Sequence, residues 1–469
     1  MMQLALEGDV VSSEDPKLEI IVLAAGQGSR MRSHKPKVLH RLAGKPLLEH
    51  VLDTARALSP AAIHVVVGHG AEAVQAAVSA TDLSFHQQTE QLGTGHAVSC
   101  ALPSCHPDAR VLVLFGDVPL MSGETLARLI ERAADGPALL AAQLSEPAGY
   151  GRVLRDAAGN FAAVVEHADA SAEQRTIKEV NTGVLVAPAE LLGTLLAEVN
   201  NNNAQGEYYL PDALAQAVQR NIPVQLVVTG DAVEITGVND RAQLQSLERA
   251  FQTRLADGLM ADGVGVVDRL RIDIRGELQC GRDVEIDVNA VFEGQVVLGD
   301  GVKVGPNCLL KDAVVGPDTD IQAFCHIEGA AIGAGCRIGP YARLRPGTDL
   351  GAAARVGNFV ETKNSVLGPG SKANHLAYIG DAEIGADSNV GAGTITCNYD
   401  GVDKHPTRIG DGVFVGSNST LVAPVTLSDH SFVAAGSVVT RDVPEDQLAL
   451  GRARQRNVSG WTPPGRKED

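Results

Sequence analysis

Apolar and polar residues follow two different rhythms along the chain, and the change between them divides it into two halves. From Leu18 to about Gln225, short β-branched runs such as LEIIVL and VLVLF alternate with stretches of helical periodicity such as KPLLEHVLDTARAL. This alternation predicts a Rossmann-like α/β domain on a mostly parallel sheet. Because such sheets bind ligands beyond the carboxyl ends of their strands, the segments after LEIIVL and VLVLF are expected to share one crevice.

One long helix is predicted to follow this first domain. The segment NDRAQLQSLERAFQTRLADGLMADG carries apolar residues at steps of three and four, and Gly263 lies beyond its expected end. We predict a connector helix over residues 239–262, between an N-terminal domain over 18–238 and a C-terminal domain with its tail over 263–469. Residues 1–17 have neither the basic start nor the apolar run of a secretory signal, and a flexible extension is predicted there.

The second half has a six-residue period, which neither a helix nor an ordinary antiparallel strand shows. This period predicts a parallel β-helix, in which each hexapeptide supplies one short strand and one corner. The segment CNYDGVDKHPTR interrupts the rhythm between Thr396 and Ile409, and an insertion in a solenoid commonly lies on a binding face. The repeated aliphatic residues, predicted to fill the interior, are Leu298, Val304, Leu310, Val315, Ile321, Ile327, Ile332, Ile338, Leu344, Leu350, Val356, Leu367, Ile379, Ile384, Val390, Ile409, Val415, Leu421, Leu427, Val433 and Val439.

Composition narrows the possible partners and compartment. A net charge of −18 argues against nucleic acid, because phosphate backbones are bound through basic surfaces. The apolar runs are far shorter than the roughly 20 residues of a membrane-spanning helix, so no span is predicted. Seven cysteines without a C-x-x-C pair indicate neither a disulfide framework nor a thiolate zinc site. We therefore predict a cytoplasmic protein in which any anionic ligand is held by a local group of basic residues.

A phosphate-binding loop is predicted directly after the first strand. The stretch LAAGQGSRMRSHKPKVL combines Gly26 and Gly28, which permit close approach of the backbone to a phosphate, with Arg30 and Lys37, which can neutralise a triphosphate. A G-x-G at a strand-to-helix turn is weak by itself, because any such turn can hold glycines.

Two further residues are candidates for binding a cation in the same crevice. Asp117 follows the VLVLF strand, where its carboxylate could hold Mg²⁺ against the phosphates. Without further evidence Asp117 would be interpreted as a turn residue, and Asn239 as only the cap of the connector helix.

Polar residues that interrupt the hexapeptide repeat are the candidates for chemistry in the second half. Arg345 and Lys363 suit a sugar phosphate, and His375 has the near-neutral basicity of a general base for an attacking amine. His375 could also be a surface residue at a corner. A zinc site would need three converging imidazoles, and the histidines of this half, His326, His375, His405 and His430, show no motif for one.

The motifs together resemble a known enzyme family. The run from Leu23 to Lys37 resembles the sugar-nucleotide nucleotidyltransferase signature. From about Leu18 to about Trp461 the chain resembles the bacterial bifunctional N-acetylglucosamine-1-phosphate uridyltransferases and glucosamine-1-phosphate N-acetyltransferases, through EQLGTGHA, GDVPL, GYGRV, VVEHADA, NTG, NNNAQGEYY, GVNDR and the KxxHLxY pattern at Lys372. The resemblance implies acetyl transfer from acetyl-coenzyme A, then Mg²⁺-dependent uridylyl transfer from UTP with release of pyrophosphate. It also implies a left-handed β-helix, a homotrimer and a role in supplying cell-wall and lipopolysaccharide precursors.

The same resemblance implies roles for individual residues, with Arg30, Lys37 and His375 as catalytic residues. UDP-N-acetylglucosamine would contact Leu23, Ala24, Ala25, Gly26, Lys37, Gln88, Gly93, Thr94, Gly151, Glu166, Asn181 and Asn239. Magnesium would be held by Asp117 and Asn239. The acetyltransferase sugar phosphate would contact Arg345, Lys363, Tyr378 and Asn389. Acetyl-coenzyme A would contact Ala392, Asn398, Tyr399, Ser417, Ala435 and Arg452.

Three positions depart from the family pattern, and two other functions stay open. Phe115 stands where tyrosine is common, Asn374 stands where glycine is common, and the stretch around Arg452 is variable. A nucleotidyltransferase with a purely structural β-helix would not need His375 or Lys363. A non-catalytic sensor of sugar nucleotides would not need Arg30, Lys37, Asp117 and Asn239 together.

Overall fold

A computed structural model describes residues 17–78 and 80–465, and the chain divides into two compact units between Phe251 and Gln252. The division lies inside the predicted connector helix. The predicted flexible extension, residues 1–17, lies outside the described residues except for Lys17. Each unit has its own hydrophobic core.

The first unit is built on a nine-stranded sheet. Its strands are β1 (Leu18–Ala24), β4 (Ala62–Val67), β5 (Leu83–Gln87), β6 (Arg110–Phe115), β7 (Ala138–Gln143), β8 (Arg152–Arg155), β9 (Phe161–Val165), β10 (Glu179–Pro188) and β11 (Gln225–Thr229), with β2 (Arg41–Leu42) and β3 (Lys45–Pro46) forming a separate ribbon. The order is β11-β7-β10-β6-β1-β4-β5, and β8 and β9 extend from β10. Strand β10 runs antiparallel to β6 and β7, whereas β1, β4, β5 and β6 are parallel. The predicted, mostly parallel sheet is confirmed.

Helices cover both faces of this sheet. They are α1 (Leu47–Ala57), α2 (Ala71–Ala77), α3 (Thr94–Ala101), α4 (Gly123–Arg132), α5 (Ala189–Leu196) and α6 (Leu210–Gln219), with 3₁₀ turns at Ser29–Met31, Lys37–Leu39, Leu102–Ser104, Ala133–Asp135 and Gln174–Thr176. Side chains alternate across β1, so Ile20 and Val22 pack with α1 and α4, whereas Ile21 packs with α3, α5 and α6. This three-layer packing fixes the carboxyl ends of β1 and β6 side by side.

A seventh helix, α7 (Arg241–Ala261), spans the boundary between the units. Asp240 caps it by accepting a hydrogen bond from the backbone N–H of Gln243 at 2.8 Å. In the first unit Leu247 joins a small apolar cluster with Met31 and Val238. In the second unit Gln252 exchanges two hydrogen bonds with the backbone of Ile274, at 2.8 and 2.7 Å.

The second unit consists of short parallel strands stacked in ladders, as a parallel β-helix requires. One ladder has eleven strands: β12 (Gly265–Val266), β14 (Glu285–Ile286), β16 (Lys303–Val304), β18 (Asp320–Ile321), β21 (Arg337–Ile338), β24 (Arg355–Asn358), β27 (Lys372–His375), β30 (Asn389–Val390), β33 (Phe414–Val415), β36 (Phe432–Val433) and β38 (Leu448–Ala449). The other two ladders diverge from the long strands β13 (Ile272–Cys280), β15 (Ala290–Leu298) and β17 (Leu309–Val315).

These two ladders complete each coil. One continues through β20 (Ala330–Ile332), β23 (Thr348–Leu350), β26 (Ser365–Leu367), β29 (Ala382–Ile384), β32 (Thr407–Ile409) and β35 (Val425–Leu427). The other continues through β19 (His326–Glu328), β22 (Arg343–Leu344), β25 (Glu361–Lys363), β28 (Tyr378–Gly380), β31 (Ile395–Cys397), β34 (Thr420–Val422) and β37 (Val438–Val439).

The register of the ladders explains the six-residue period. Val304 pairs with Ile321, Ile321 with Ile338, and Ile338 with Val356, so each step of 17 or 18 residues is one coil of three repeats. All of the aliphatic residues predicted to fill the interior are buried. Corner residues such as Asn307 and Asn418 adopt positive φ angles, which asparagine tolerates better than most residues. The predicted β-helix is confirmed.

Candidate active sites

A cleft of about 550 Å³ opens at the carboxyl ends of β1 and β6. This is the crevice that the strand order predicts. Of the predicted nucleotide-site residues, eleven line it: Leu23, Ala24, Ala25, Gly26, Arg30, Lys37, Gln88, Gly93, Thr94, Asp117 and Asn239.

The loop after β1 turns tightly around Lys37. Gly28 has a φ of 64°, and a Cβ at this position would lie 2.6 Å from the Cβ of Lys37. Only glycine avoids both the strained angle and the clash. Arg30 lies in the following 3₁₀ turn with its side chain exposed at the rim, whereas Lys37 is half-buried.

Two side-chain oxygens accept hydrogen bonds from the Lys37 ammonium group. Lys37 Nζ forms a short ion pair with Asp117 Oδ2 and donates a hydrogen bond to Asn239 Oδ1 at 3.1 Å. Because Asp240 caps α7, the side chain of Asn239 is free of that role and points at Lys37. Asp117 and Asn239 lie far apart in the sequence, yet both reach one cation.

A second group of predicted residues lies together but outside the lining of this cleft. The backbone N–H of Asn181 donates to the carbonyl oxygen of Gly151 at 2.9 Å, and a Cβ on Gly151 would lie 2.9 Å from Oε1 of Glu166. Burial, followed by the nearby Asp212 carboxylate, raises the pKa of Glu166 above its ordinary value. Burial therefore leaves the ionised carboxylate poorly stabilised, and a ligand that donates hydrogen bonds to it would stabilise it.

In the second unit, cationic side chains gather on adjacent coils. Arg345 Nη1 donates to Glu361 Oε1 at 2.8 Å. The ammonium group of Lys404 beside Lys363 lowers the pKa of Lys363, and Arg345 adds to this effect. Like charges held close together indicate a site that binds an anion.

The remaining predicted acetyltransferase residues lie on two ladders. His375 is exposed and pairs in register with Asn358, while Asn389 pairs with Lys372 on the same ladder. Tyr378 lies on the neighbouring ladder in register with Glu361, the partner of Arg345.

The inserted loop and one corner of the β-helix hold the residues predicted for acetyl-coenzyme A. Asn398 bonds to Asp381, and the Tyr399 hydroxyl donates to the carbonyl oxygen of Gly401 at 2.6 Å. The carbonyl oxygens of Ala392 and Ser417 accept backbone N–H groups from Asn418 and Gly436, so these corners stack on successive coils. Ala435 lies in the same stack, and Arg452 passes beside Gly436.

Comparison with protein families matches both units. A MobA-like NTP transferase domain matches residues 20–184. A GMPPB C-terminal domain matches residues 274–360, and the hexapeptide repeat of succinyl-transferase matches residues 406–441.

Whole-chain relatives extend these matches. The Bifunctional protein GlmU of Stutzerimonas stutzeri (strain A1501) is 55% identical over 96% of this chain and 100% of its own length. The proteins of the same name from Paraburkholderia phytofirmans and Alkalilimnicola ehrlichii are 54% and 53% identical over 96% of this chain, covering 100% and 98% of their own lengths. The chain belongs to the GlmU family.

Membership of the GlmU family confirms the predicted resemblance, the fold class with its left-handed β-helix of hexapeptide repeats, and a bifunctional transferase. The reading in which the β-helix is only a scaffold is not favoured. Among the described residues, no helix is long and apolar enough to cross a membrane. The described histidines of the β-helix do not form a group of potential metal ligands.

The structure adds residues that sequence reasoning on this GlmU-family chain did not single out. Gln27, Gln91 and Glu207 line the cleft, and Glu207 packs against Gly93. Lys404 joins Lys363 from the inserted loop. Their motifs, LAAGQGSRM, EQLGTGHA, NNNAQGEYY and CNYDGVDKHPTR, were visible in the sequence, but which member of each motif faces a ligand depends on the backbone path.

Phe115, which stands where the family commonly has tyrosine, packs against Gly183. A Cβ on Gly183 would lie 2.6 Å from the Phe115 ring, and Gly183 has a φ of 81°. The ring also lines the cleft. The departure therefore leaves an apolar wall at this point of the cleft.

Proposed function

We propose that the two sites carry out consecutive steps in the synthesis of UDP-N-acetylglucosamine. The β-helix transfers an acetyl group from acetyl-coenzyme A to glucosamine-1-phosphate. The α/β unit then joins the acetylated sugar phosphate to the uridylyl group of UTP and releases pyrophosphate. The observation that carries this proposal is the pairing of Lys363 with Lys404 on the β-helix, because a scaffold has no need of two adjacent ammonium groups.

In the uridyltransferase site, the residues act by position and charge. An oxygen of the sugar phosphate attacks the α-phosphorus of UTP, a new P–O bond forms, and the bond to the β-phosphate breaks. Gly26 and Gly28 let the backbone approach the phosphates, while Arg30 and Lys37 stabilise the charge that develops on them. Leu23, Ala24, Ala25, Gln88, Gly93 and Thr94 would hold the nucleotide, and Gly151, Glu166, Asn181 and Asn239 the sugar.

The same site suits a magnesium ion. Asp117 and Asn239 offer two side-chain oxygens that already converge on one cation, the Lys37 ammonium group. Oxygen ligands of this kind are those that Mg²⁺ prefers, with phosphates completing its shell. The bound ion would supply charge neutralisation at the phosphates. When Asp117 and Asn239 hold the ion, Lys37 is left to contact the triphosphate.

In the acetyltransferase site, the cations would hold the sugar phosphate while a base acts on the amine. Arg345, Lys363 and Lys404 attract the phosphate, with Tyr378 and Asn389 contacting the sugar. His375 takes a proton from the amine as the amine nitrogen forms a bond to the acetyl carbon. The thioester bond then breaks, and coenzyme A leaves. Acetyl-coenzyme A would lie along Ala392, Asn398, Tyr399, Ser417, Ala435 and Arg452.

We also propose a homotrimer assembled through the β-helix and a cytoplasmic location. An exposed stack of rings at one corner supports assembly: Phe324 and Tyr341 lie 4.9 Å apart, and Tyr341 and Phe359 lie 5.3 Å apart. Exposed apolar patches of this kind commonly mark protein interfaces. All seven cysteines are free, which is typical of a reducing compartment.

A pair of assays on one purified sample tests the proposal. One measures free coenzyme A released from acetyl-coenzyme A with glucosamine-1-phosphate. The other measures pyrophosphate released from UTP with N-acetylglucosamine-1-phosphate and Mg²⁺. Both products are expected. Pyrophosphate without coenzyme A would reduce the β-helix to a scaffold and remove the role given to His375.

A further inference from the structure

A cluster of potential metal ligands lies in the first unit, away from the nucleotide cleft. Glu19, His64 and Cys105 are all buried, with 7%, 4% and 8% of their surfaces exposed. One ligand atom from each lies within 4.8 Å of the other two. Neither proposed reaction uses any of these side chains, and none of them lines the cleft.

The topology brings the three residues together at the opposite end of the sheet. Glu19 is the second residue of β1, whose other end carries Leu23 and Ala24 to the nucleotide cleft. His64 lies near the start of β4, one strand away, and Cys105 follows the 3₁₀ turn that precedes β6. The cluster therefore ties three separate segments together at the amino ends of the parallel strands.

The hydrogen bonds around the cluster match those of a metal site. His64 Nε2 lies 3.1 Å from Glu19 Oε2, and His64 Nδ1 lies 3.1 Å from Nε2 of His86. The other carboxylate oxygen of Glu19 accepts the backbone N–H of His106 at 3.2 Å. Ligating imidazoles and carboxylates are commonly oriented in this way through their second polar atom. His86 is itself half-buried.

We propose that Glu19, His64 and Cys105 form a three-ligand binding site for a zinc-class divalent cation. Imidazole nitrogen, thiolate sulfur and carboxylate oxygen are the ligand types of Zn²⁺, and tetrahedral geometry places them about 3.3–3.6 Å apart. All of the ligand atoms lie within 4.8 Å of one another, so the cluster reaches this spacing by a contraction of at most about 1.5 Å at its longest distance. One thiolate, one carboxylate and a neutral imidazole also balance the charge of the cation, so the buried site carries no net charge.

Binding requires one proton to leave. Burial, and then the Glu19 carboxylate, raise the pKa of the Cys105 thiol to about 12, so the metal-free thiol keeps its proton. The cation forms a bond to the sulfur as this proton passes to solvent. Because the three ligands come from separate segments, binding should stabilise the first unit against unfolding.

Cobalt(II) is the probe for the test, because tetrahedral cobalt bound to a thiolate gives a charge-transfer absorption that an oxygen-only site lacks. The full-length protein is treated with chelator, kept reduced with a phosphine, and titrated with Co²⁺ in excess Mg²⁺ so that the nucleotide cleft stays occupied. We expect one equivalent of thiolate-bound cobalt, displaced by one equivalent of Zn²⁺. Stoichiometric Zn²⁺ should also raise the melting temperature.

Matched variants assign the signal to this cluster. Cys105→Ser should abolish the thiolate absorption and the thermal shift by Zn²⁺, whereas Cys100→Ser, at a half-buried cysteine nearby in the sequence, should keep both. Glu19→Gln should weaken cobalt binding at least about tenfold. This variant tests the site independently if Cys105→Ser does not fold. The proposal is wrong if the wild type shows no thiolate-bound cobalt or if the absorption persists in Cys105→Ser. In either case Glu19 and His64 form only a buried hydrogen-bonded pair.

Discussion

At the scale of single residues, Lys37 shows how a side chain is held in place by two distant segments. Asp117 follows β6 and Asn239 precedes α7, and both contact its ammonium group. These two oxygen partners fix the position of the half-buried ammonium group beside the cleft, as the stabilisation of phosphate charge requires.

Asp117→Asn should reduce uridylyl transfer by roughly 10²–10³-fold, because it removes the charge that orients Lys37 and would hold magnesium. Acetyl transfer should be unchanged. Pyrophosphate release is the measurement, and Asp108→Asn, at an exposed aspartate of the same unit, is the control. Full activity of Asp117→Asn at low Mg²⁺ would show that the metal assignment is wrong.

His375→Gln should lower acetyl transfer by about 10²–10⁴-fold, because glutamine cannot take the proton from the amine. Uridylyl transfer should keep its wild-type rate. His326→Gln is a matched control, since His326 is also an exposed histidine of the β-helix. Coenzyme A release is measured for both variants. Equal loss of both activities in His375→Gln would point to misfolding rather than to a lost base.

Glu166→Gln should raise the melting temperature of the first unit at neutral pH by roughly 1–3 °C. Burial is the main reason why the pKa of this carboxyl is higher in the folded state than its ordinary value near 4.5. Ionisation of the carboxyl therefore destabilises the folded state once the pH exceeds that ordinary value. The gain should shrink as the pH falls through the raised value, since the wild-type carboxyl is then protonated. Melting curves from neutral to acid pH, with Glu173→Gln as the exposed control, measure this. A gain that does not depend on pH would contradict the explanation.

At the scale of elements, the hexapeptide strand gains its stability from the coils above and below it. Its two or three residues bury one aliphatic side chain and pair with neighbouring strands 17 or 18 residues away. No coil could bury this side chain alone.

Ile338→Ala should therefore destabilise the β-helix by about 2–5 kcal/mol, because it leaves a cavity between stacked coils. Val314→Ala, at a side chain that is 55% exposed, should change stability by less than about 0.5 kcal/mol. Denaturant unfolding followed by circular dichroism gives both values. Similar losses in the two variants would mean that interior packing does not set the stability of the coils.

At the scale of the whole molecule, the exposed rings at one corner carry the proposal of a trimer. Tyr341→Asp should shift the sedimenting species from three chains of 48.9 kDa toward one. Aspartate tolerates the positive φ of 57° at this corner, so the coil itself should survive. Val228→Asp, at an exposed apolar residue of the first unit, is the control. If the Tyr341→Asp variant remains a trimer, the interface lies elsewhere on the β-helix.

The sequence by itself determined the two architectures, because each depends on a local period. The alternation of strands and helices and the six-residue spacing of aliphatic residues can both be recognised without knowledge of the fold. Helix α7 and the buried aliphatic residues of the β-helix agree with these local patterns. Motifs such as LAAGQGSR also placed most of the lining of the nucleotide cleft.

Only the tertiary structure decided which distant side chains meet. The contacts of Lys37 with Asp117 and Asn239 and of Glu19 with His64 join residues that no local pattern relates, and so does the effect of Lys404 on the pKa of Lys363. They depend on strand order, on the length of a coil and on the path of an inserted loop. Local periodicity depends on the spacing of residues that are close in the sequence. These contacts form only when the folded backbone brings distant segments together.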